Sequence, residues 1–464
     1  MRIASASPAT ADTVIRGGRI RLFDEADTLT DALAVRDGVV VAVGAQARAA
    51  TTTARRIVEL DGRTAIPGIN DAHLHAAWLG ARWPHLFFGD HAASHEHSGR
   101  LVTTAAERRD ALLRAWRLLA RFGVTSYTEP GIGPGEDDGE TGCFGTSMLD
   151  TYLDLHRTGA QTSRVTLLRL FGGIDGESEL DAFDAGTQEP PPATDPRWLS
   201  IPGVKIFADG IPPMRTAWVC EPYPDGSHGG PLTRGGDSPA DAFRRMVRLA
   251  DERGYQVAVH ATGDRSIAEF VDALAGRPRR GADAPPHYVV HADMATPELI
   301  ARLAAAGIGV TMQPMIAALT QDWAGAQLGA ERTAAAWPLG RLLAADVVTT
   351  LSSDAPIATP DWRPGLDAAL DLLVRDGIGD GASARLRLLH AMTTAPARQD
   401  GARSWKGSLE PGMAADVTVL DADPVEPGRP FADLRIEHTI VAGRTVYDAA
   451  TATTPDDTSA VRPA

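Results

Sequence analysis

A (β/α)8 barrel with a small β-sandwich built from both chain ends is the fold class this sequence predicts. Three observations predict it. Between residues 66 and 400, eight apolar, strand-like runs alternate with helical stretches. The two ends are β-rich instead and share one texture. Five of the eight central runs also carry a histidine, lysine or aspartate at or near their C-terminal ends, where barrels of this kind carry their chemistry.

Size and composition fit that class. A chain of 464 residues can bury a large core, and its length suggests two or three domains. A hydrophobic fraction of 44% and a charged fraction of 23% are ordinary for a soluble globular protein. No apolar run reaches the roughly 18 residues of a membrane span, and the N-terminus lacks the apolar core of a signal peptide. Cys143 and Cys220 are the only cysteines, too few for a disulfide framework, so a reducing, cytoplasmic setting is expected. A net charge of −15 argues against a nucleic-acid surface, which needs clustered positive charge. The expected partner is therefore a small molecule, with no nucleic acid and no membrane. A homodimer is left open.

Residues 1–66 read as the N-terminal part of the sandwich, with runs DTVIRGGRI, ALAVRDGVVVAVG and RRIVELDGRTAI broken by the turn pairs Gly17-Gly18 and Asp37-Gly38. Residues 67–400 read as the barrel. Its strand runs are AIPGINDAH, GVTSYTE, RVTLLRLFG, GVKIFAD, YQVAVHA, HYVVHAD, GIGVTMQP and VVTTLSSD. They are nearly continuous in apolar residues, as parallel strands covered on both faces must be. Helices fall between them, such as AERRDALLRAWRLLARFG and PADAFRRMVRLADERG. TPELIARLAAAG is fully punctuated: Thr296 caps, Pro297 opens the first turn, Glu298 favours the helix N-terminus and Gly307 ends it. Residues 401–449 supply the C-terminal part of the sandwich, and 450–464 read as a disordered tail.

The chemistry starts at AIPGINDAHLHA, where His73 and His75 are two residues apart at a strand end. Alternate side chains of an extended strand share a face, and two imidazoles near a carboxylate suit a metal such as zinc. A second His-x-His, His95 and His97, lies among small polar residues with no strand leading into it and reads as loop. Lys205 then ends strand four, His260 strand five, His291 strand six and Asp354 strand eight. Each alone is more often a satisfied core residue; together, at strand C-termini, they point to a metal centre. Of 45 basic residues only Lys205 and Lys406 are lysines. A buried lysine can lose its proton and react, whereas arginine effectively cannot.

These residues, with the wording IPGINDAHLH, VKIFADG, VHATGDRSIAEF, SSDAPIATPDW and GSLEPGMAADVTVLD, resemble the amidohydrolase superfamily of binuclear-metal type. The likeness is closer to amidohydrolase family three, which includes the N-substituted formamide deformylases. The resemblance implies two divalent metal ions, with zinc expected. One is held by His73, His75 and Asp354, the other by His260 and His291, and a carboxylated Lys205 bridges them. It further implies hydrolysis of a non-peptide C–N bond, with Asp354 shuttling the proton. HADM departs from the Glu-His pair usual for the branch at strand six, which bears on substrate rather than metal.

Weaker candidates surround this set. Arg215, just after strand four, could anchor a substrate carbonyl or carboxylate, or hold its own loop. Asp264 could orient a ligand as a supporting partner, or cap the next helix. Trp78 and Trp218 are candidate substrate-binding residues among the aromatics on catalytic-face loops, with Trp83, Phe87, Phe88, Tyr223, Trp323 and Trp362. They predict a small, neutral, partly hydrophobic amide. His85, His91, His95, His97 and His228 read as loop residues over the barrel mouth; His156, His287, His390 and His438 read as structural. Two alternatives stay open. One is a mononuclear deaminase, though no glutamate follows His260 before Glu269. The other is a non-catalytic binding relative, which would be expected to have damaged ligands.

Overall fold

The computed structural model describes residues 11–89, 99–281 and 284–452. Eight parallel strands pair in sequence order: β1 (Ile69–Asp71), β2 (Val124–Ile132), β3 (Arg164–Leu170), β4 (Leu199–Phe207), β5 (Gln256–Ala261), β6 (Tyr288–His291), β7 (Gly309–Met312) and β8 (Thr349–Leu351). Hydrogen bonds from Ala72 N to Leu351 O and from Asp354 N to His73 O join the last strand to the first. The ring therefore closes at the histidine pair. β2, β3, β5, β6, β7 and β8 are buried at every residue, which explains their unbroken apolar reading: helices cover one face and the barrel interior the other.

Local signals set the helix ends. The helix Ala105–Arg121 opens on a capping box in which Thr104 accepts from Glu107 N and the Glu107 side chain returns to the Thr104 amide. Pro297–Ala306 lies where the sequence puts it, capped by Thr296 and closed by Gly307 at φ 69°.

The two chain ends form one eight-stranded sheet. Thr64–Pro67 pairs antiparallel with Val417–Leu420, in the register Pro67↔Val417 to Thr64↔Leu420, and Ile15, Val35, Val58, Val417 and Ile440 share its core. A buried ion pair fixes this sheet to the barrel: Arg164 on β3 donates from Nε to Asp416 at 2.6 Å, with its guanidinium 4.6 Å from the Trp198 ring. The expected tail falls largely in 453–464, outside the described residues.

The second lysine has a structural place. Gln399 and Asp400 plug the barrel. Gln399 accepts from the Thr311 and Thr350 hydroxyls, and Asp400 accepts from Asn70 and Thr128. Lys406 Nζ donates to Asp400 at 2.7 Å, and both side chains are nearly inaccessible. Breaking one half of such a pair strands a buried charge. We expect Lys406→Met to lower unfolding free energy by about 3–5 kcal/mol. Asp400→Asn in the same chain should restore most of it, as read by urea denaturation of the two variants.

His287 offers a pH-dependent counterpart. It accepts from Val257 N at Nδ1 (3.0 Å) and donates from Nε2 to Asp251 (3.0 Å), which fixes a neutral tautomer. Burial, then the nearby Arg280 cation, hold its pKa down to about 4 from an ordinary 6.5. The unfolded chain thus takes up this proton first as pH falls, and stability drops between about pH 6.5 and 4. His287→Gln should flatten that stretch by up to about 1.4 kcal/mol per pH unit. An unchanged slope would place the acid sensitivity elsewhere.

Candidate metal centre

The histidine pair stands just past β1 because Asp71 organises the turn: its buried carboxylate accepts from His73 N (3.2 Å) and from Ser353 N beside β8 (3.1 Å). This brings Asp354 to the histidines. His73 Nε2 lies 3.2 Å and His75 Nε2 3.7 Å from Asp354 Oδ1. One ligand atom from each of His73, His75 and Asp354 falls within 4.8 Å of the others, and all three residues are buried. The structure thus brings both imidazoles of the His-x-His motif to one place beside Asp354.

The other donors converge on the same point. The His73 and His291 rings are 5.8 Å apart by centroid, and those of His260 and His291 4.4 Å. Hydrogen bonding settles which nitrogen of each ring is left over. His75 Nδ1 meets Glu129 (3.2 Å), His291 Nδ1 meets Gln313 (2.7 Å) and His260 Nε2 meets the Gly210 carbonyl (3.2 Å). That leaves Nε2 of His75, Nε2 of His291 and Nδ1 of His260. In His73 the buried Nδ1 has no partner among the described residues. His291 and Asp354 also adopt left-handed backbone, at φ 79° and 55°, which non-glycine residues rarely take outside constrained sites.

Electrostatics favour neutral imidazoles, the form that binds metal. Burial, then the neighbouring Lys205 charge, hold His73 well below its ordinary pKa, and burial with His291 does the same to His260. Burial brings His291 down to about 3. His75 differs: burial opposes its charge, but the hydrogen bond and charge of Glu129 outweigh it and raise the pKa.

Lys205, on β4, is 1% exposed. Its Nζ lies 4.8 Å from the Phe207 ring centroid, and it makes no hydrogen bond or ion pair among the described residues. It forms no salt bridge to Asp209 or Asp264, the acidic residues nearest in sequence to the ends of β4 and β5. Asp209 is fully engaged by Trp218 N, Thr262 N, Gly263 N and the Ser266 hydroxyl. Asp264 accepts from Cys220 N at 2.9 Å. Burial therefore lowers the lysine to about 8 from 10.5, partly offset by Asp354 and Asp175. The amine still carries its proton for the most part at neutral pH, but gives it up far more readily than an exposed lysine does. Three buried neutral imidazoles, an aspartate and an uncompensated amine are a donor set that fits divalent cations and fits little else.

Several weaker expectations resolve differently. Asp264 reaches the Cys220 amide and no imidazole; the carboxylate that ties the loops after β4 and β5 together is Asp209. The Arg215 guanidinium, 45% exposed, is paired with Asp225 at 2.7 Å, so it holds its own loop. Trp78 does sit at the centre, edge-on to His75 at 6.1 Å and packed on Phe87 and Phe144, with a buried indole N–H that lacks a partner. Trp218 lends its amide to Asp209 and its face to Arg265 at 5.6 Å. Trp362 and Tyr223 pack loops onto the barrel through hydrogen bonds to Phe122 O and Ala217 O. His156, His287, His390 and His438 all bind neighbouring side chains, and His228 meets Val219 O. His91, His95 and His97 lie outside the described residues.

One residue escaped the sequence reading. Glu129, at 0% exposure on β2, receives His75 Nδ1, Ala76 N (2.8 Å) and the Tyr152 hydroxyl (2.9 Å). A glutamate closing the wholly buried run VTSYTE was the available signal, since such a strand end does not carry a charge without a task.

This barrel and this donor set define a class, the metal-dependent amidohydrolase superfamily. A model of the amidohydrolase family matches residues 89–447, and the chain belongs to that family, on its family-three branch. YtcJ of Bacillus subtilis (strain 168), an amidohydrolase by name, is 30% identical over 260 residues, covering 54% of this chain and 48% of its own. The N-substituted formamide deformylase of Arthrobacter pascens is 26% identical over 323 residues, 67% of this chain and 58% of its own. The chain thus spans about half the length of the curated relatives it matches. In three dimensions, an uncharacterized metal-dependent hydrolase from Pyrococcus furiosus superposes with a TM-score of 0.70 at 20% identity, over 89% of this chain and 100% of that one. No helix among the described residues is long and apolar enough to cross a membrane.

Proposed function

We propose that the protein hydrolyses a non-peptide C–N bond, of amide or formamide type, in a small and partly hydrophobic substrate. The observation that carries this reading is the buried, partnerless Lys205 amine facing four imidazoles and Asp354 at the barrel rim. His73, His75 and Asp354 would hold one divalent ion, zinc by donor type, and His260 with His291 a second. Lys205 would add carbon dioxide, losing one amine proton to give a carbamate whose oxygens can serve both ions. Such a pair, when bound, supplies Lewis acidity and brings a water close to ionisation at neutral pH.

The chain's own groups do the rest. Asp354 Oδ1, next to both strand-one histidines, takes the proton of the attacking water and delivers it to the leaving nitrogen. Burial raises this carboxyl against the pull of His291, His75 and Lys205, which makes it a better base than an exposed aspartate. Glu129 holds the His75 ring so that Nε2 faces Asp354. Trp78, Phe87 and Phe144 form an apolar wall beside the centre. Kinship with an N-substituted formamide deformylase supports the amide reading. The test is elemental analysis of metal per chain, paired with turnover of a formamide and amide panel before and after chelation. Two ions and chelator-sensitive amide cleavage are expected. Ammonia release from purines or pyrimidines without amide cleavage would replace it with the deaminase reading.

A further inference from the structure

The loop after β3, residues 171–177, holds a carboxylate that the proposed chemistry does not use. Gly172 and Ser178 form an antiparallel bridge, and Gly176 N bonds Gly173 O, which closes a tight hairpin with Ile174 and Asp175 at its tip. The hairpin is fastened on two sides. Ile174 N donates to Glu136 at 2.6 Å from the loop after β2, and Ser178 pairs with Thr233 in the segment that follows β4. The packing is close: a Cβ on Gly135 would meet Gly172 O at 2.3 Å, and one on Gly172 would meet Ser178 Oγ at 2.1 Å.

Asp175 occupies this fixed tip in left-handed conformation, φ 49°, which aspartate tolerates better than most residues. Its surface reaches solvent; crowding by protein, then the Asp354 charge, raise its pKa, and His75 and Lys205 pull the other way, which puts it within electrostatic reach of the centre. The loop leaves the C-terminal end of β3, the end of the barrel that carries the candidate metal centre, and this places Asp175 at the mouth. It makes no hydrogen bond or ion pair among the described residues. Arg215, the cation expected near this mouth, is engaged by Asp225. A rigidly mounted, unpaired carboxylate at a site's entrance is a receptor for a positive group.

We infer that Asp175 is a specificity-determining residue that binds a cationic nitrogen, an alkylammonium, on the substrate. The inference rests on the amidohydrolase reading and narrows its substrate class: an apolar body against Trp78 and Phe87, carrying a basic amine toward the β3 loop. It replaces the neutral amide anticipated from the aromatic residues alone.

Binding tests it without requiring turnover. Calorimetry on the metal-loaded full chain would compare benzylammonium with benzyl alcohol, for wild type and Asp175→Asn. Wild type should bind the ammonium at least about tenfold more tightly, a discrimination typical of one charge-assisted contact. Asp175→Asn should abolish that preference while leaving metal content and alcohol binding unchanged. The same pattern should appear as a KM effect, at constant kcat, for formamides with and without an aminomethyl group. Equal wild-type binding of the two probes, no binding of either, or a preference that survives Asp175→Asn would overturn the inference. Ammonium-selective binding with no amide cleavage would leave it standing and sink the hydrolase reading alone.

Discussion

Lys205→Met is expected to cut the metal bound per chain from about two ions to one or none, and to lower kcat on any amide substrate by roughly a thousand-fold. The size follows from losing several kcal/mol of metal-supplied transition-state stabilisation, at 1.36 kcal/mol per tenfold. The methionine is chosen because Lys205 is buried without a partner. Replacing an uncompensated amine by an apolar chain of similar length removes a desolvation penalty, so metal-free Lys205→Met should melt no lower than metal-free wild type. A loss of metal with retained stability would assign Lys205 to the centre. Lys205→Arg sharpens the comparison: the guanidinium stays charged and cannot form a carbamate, so it should fail equally. Full metal content and activity in either variant would make Lys205 a packing residue and favour a mononuclear site.

The second large effect is expected at Glu129. Glu129→Gln keeps the shape and most of the hydrogen bonding to Ala76 N and Tyr152 but withdraws the charge that meets His75 Nδ1. Loss of such an outer partner typically costs 10–100-fold in metal affinity or activity. Burial would then lower the His75 pKa with only the Asp354 charge left to oppose it, and the ring could turn its other nitrogen toward Asp354. The readout is metal dissociation measured by competition with a chelator, alongside kcat. Tyr152→Phe is the control: it removes one donor to Glu129 (2.9 Å) and leaves the charge, so its effect should be several-fold smaller. Equal losses in both variants would mean that Glu129 acts through packing, not through the imidazole.

The two predictions differ in how far the sequence alone could carry them. Lys205 stands out by its rarity and by falling within an apolar strand run, both of which are local properties. His73, His75, His260, His291 and Asp354 were legible for the same reason. Strand length and the period of two tell where a strand ends, and barrel geometry places every such end on one rim. Glu129 ended a strand run just as visibly, but nothing local says that its partner is an imidazole 54 residues earlier. Asp264 is the candidate supporting partner in the sequence because it follows His260 closely. Sequence proximity misled there, since Asp264 starts a helix and its side chain turns to the loop carrying Cys220, while Asp209 collects four donors beneath the mouth.

The sequence by itself determined the strand and helix order, the caps that end the helices, the side-chain types at the barrel rim and the β-rich character of both ends. These follow from periodicity, turn chemistry and composition, which act over a few residues. Only the tertiary structure decided which ring nitrogen each histidine leaves over, that Lys205 has no counter-ion while Lys406 has one in Asp400, that Arg215 is held by Asp225, and that Asp175 overlooks the centre unpaired. Each of these is a question of which polar group meets which after distant segments pack. Burial raises the energy of every unpaired charge, so the fold, rather than the local sequence, decides which charges are left for chemistry.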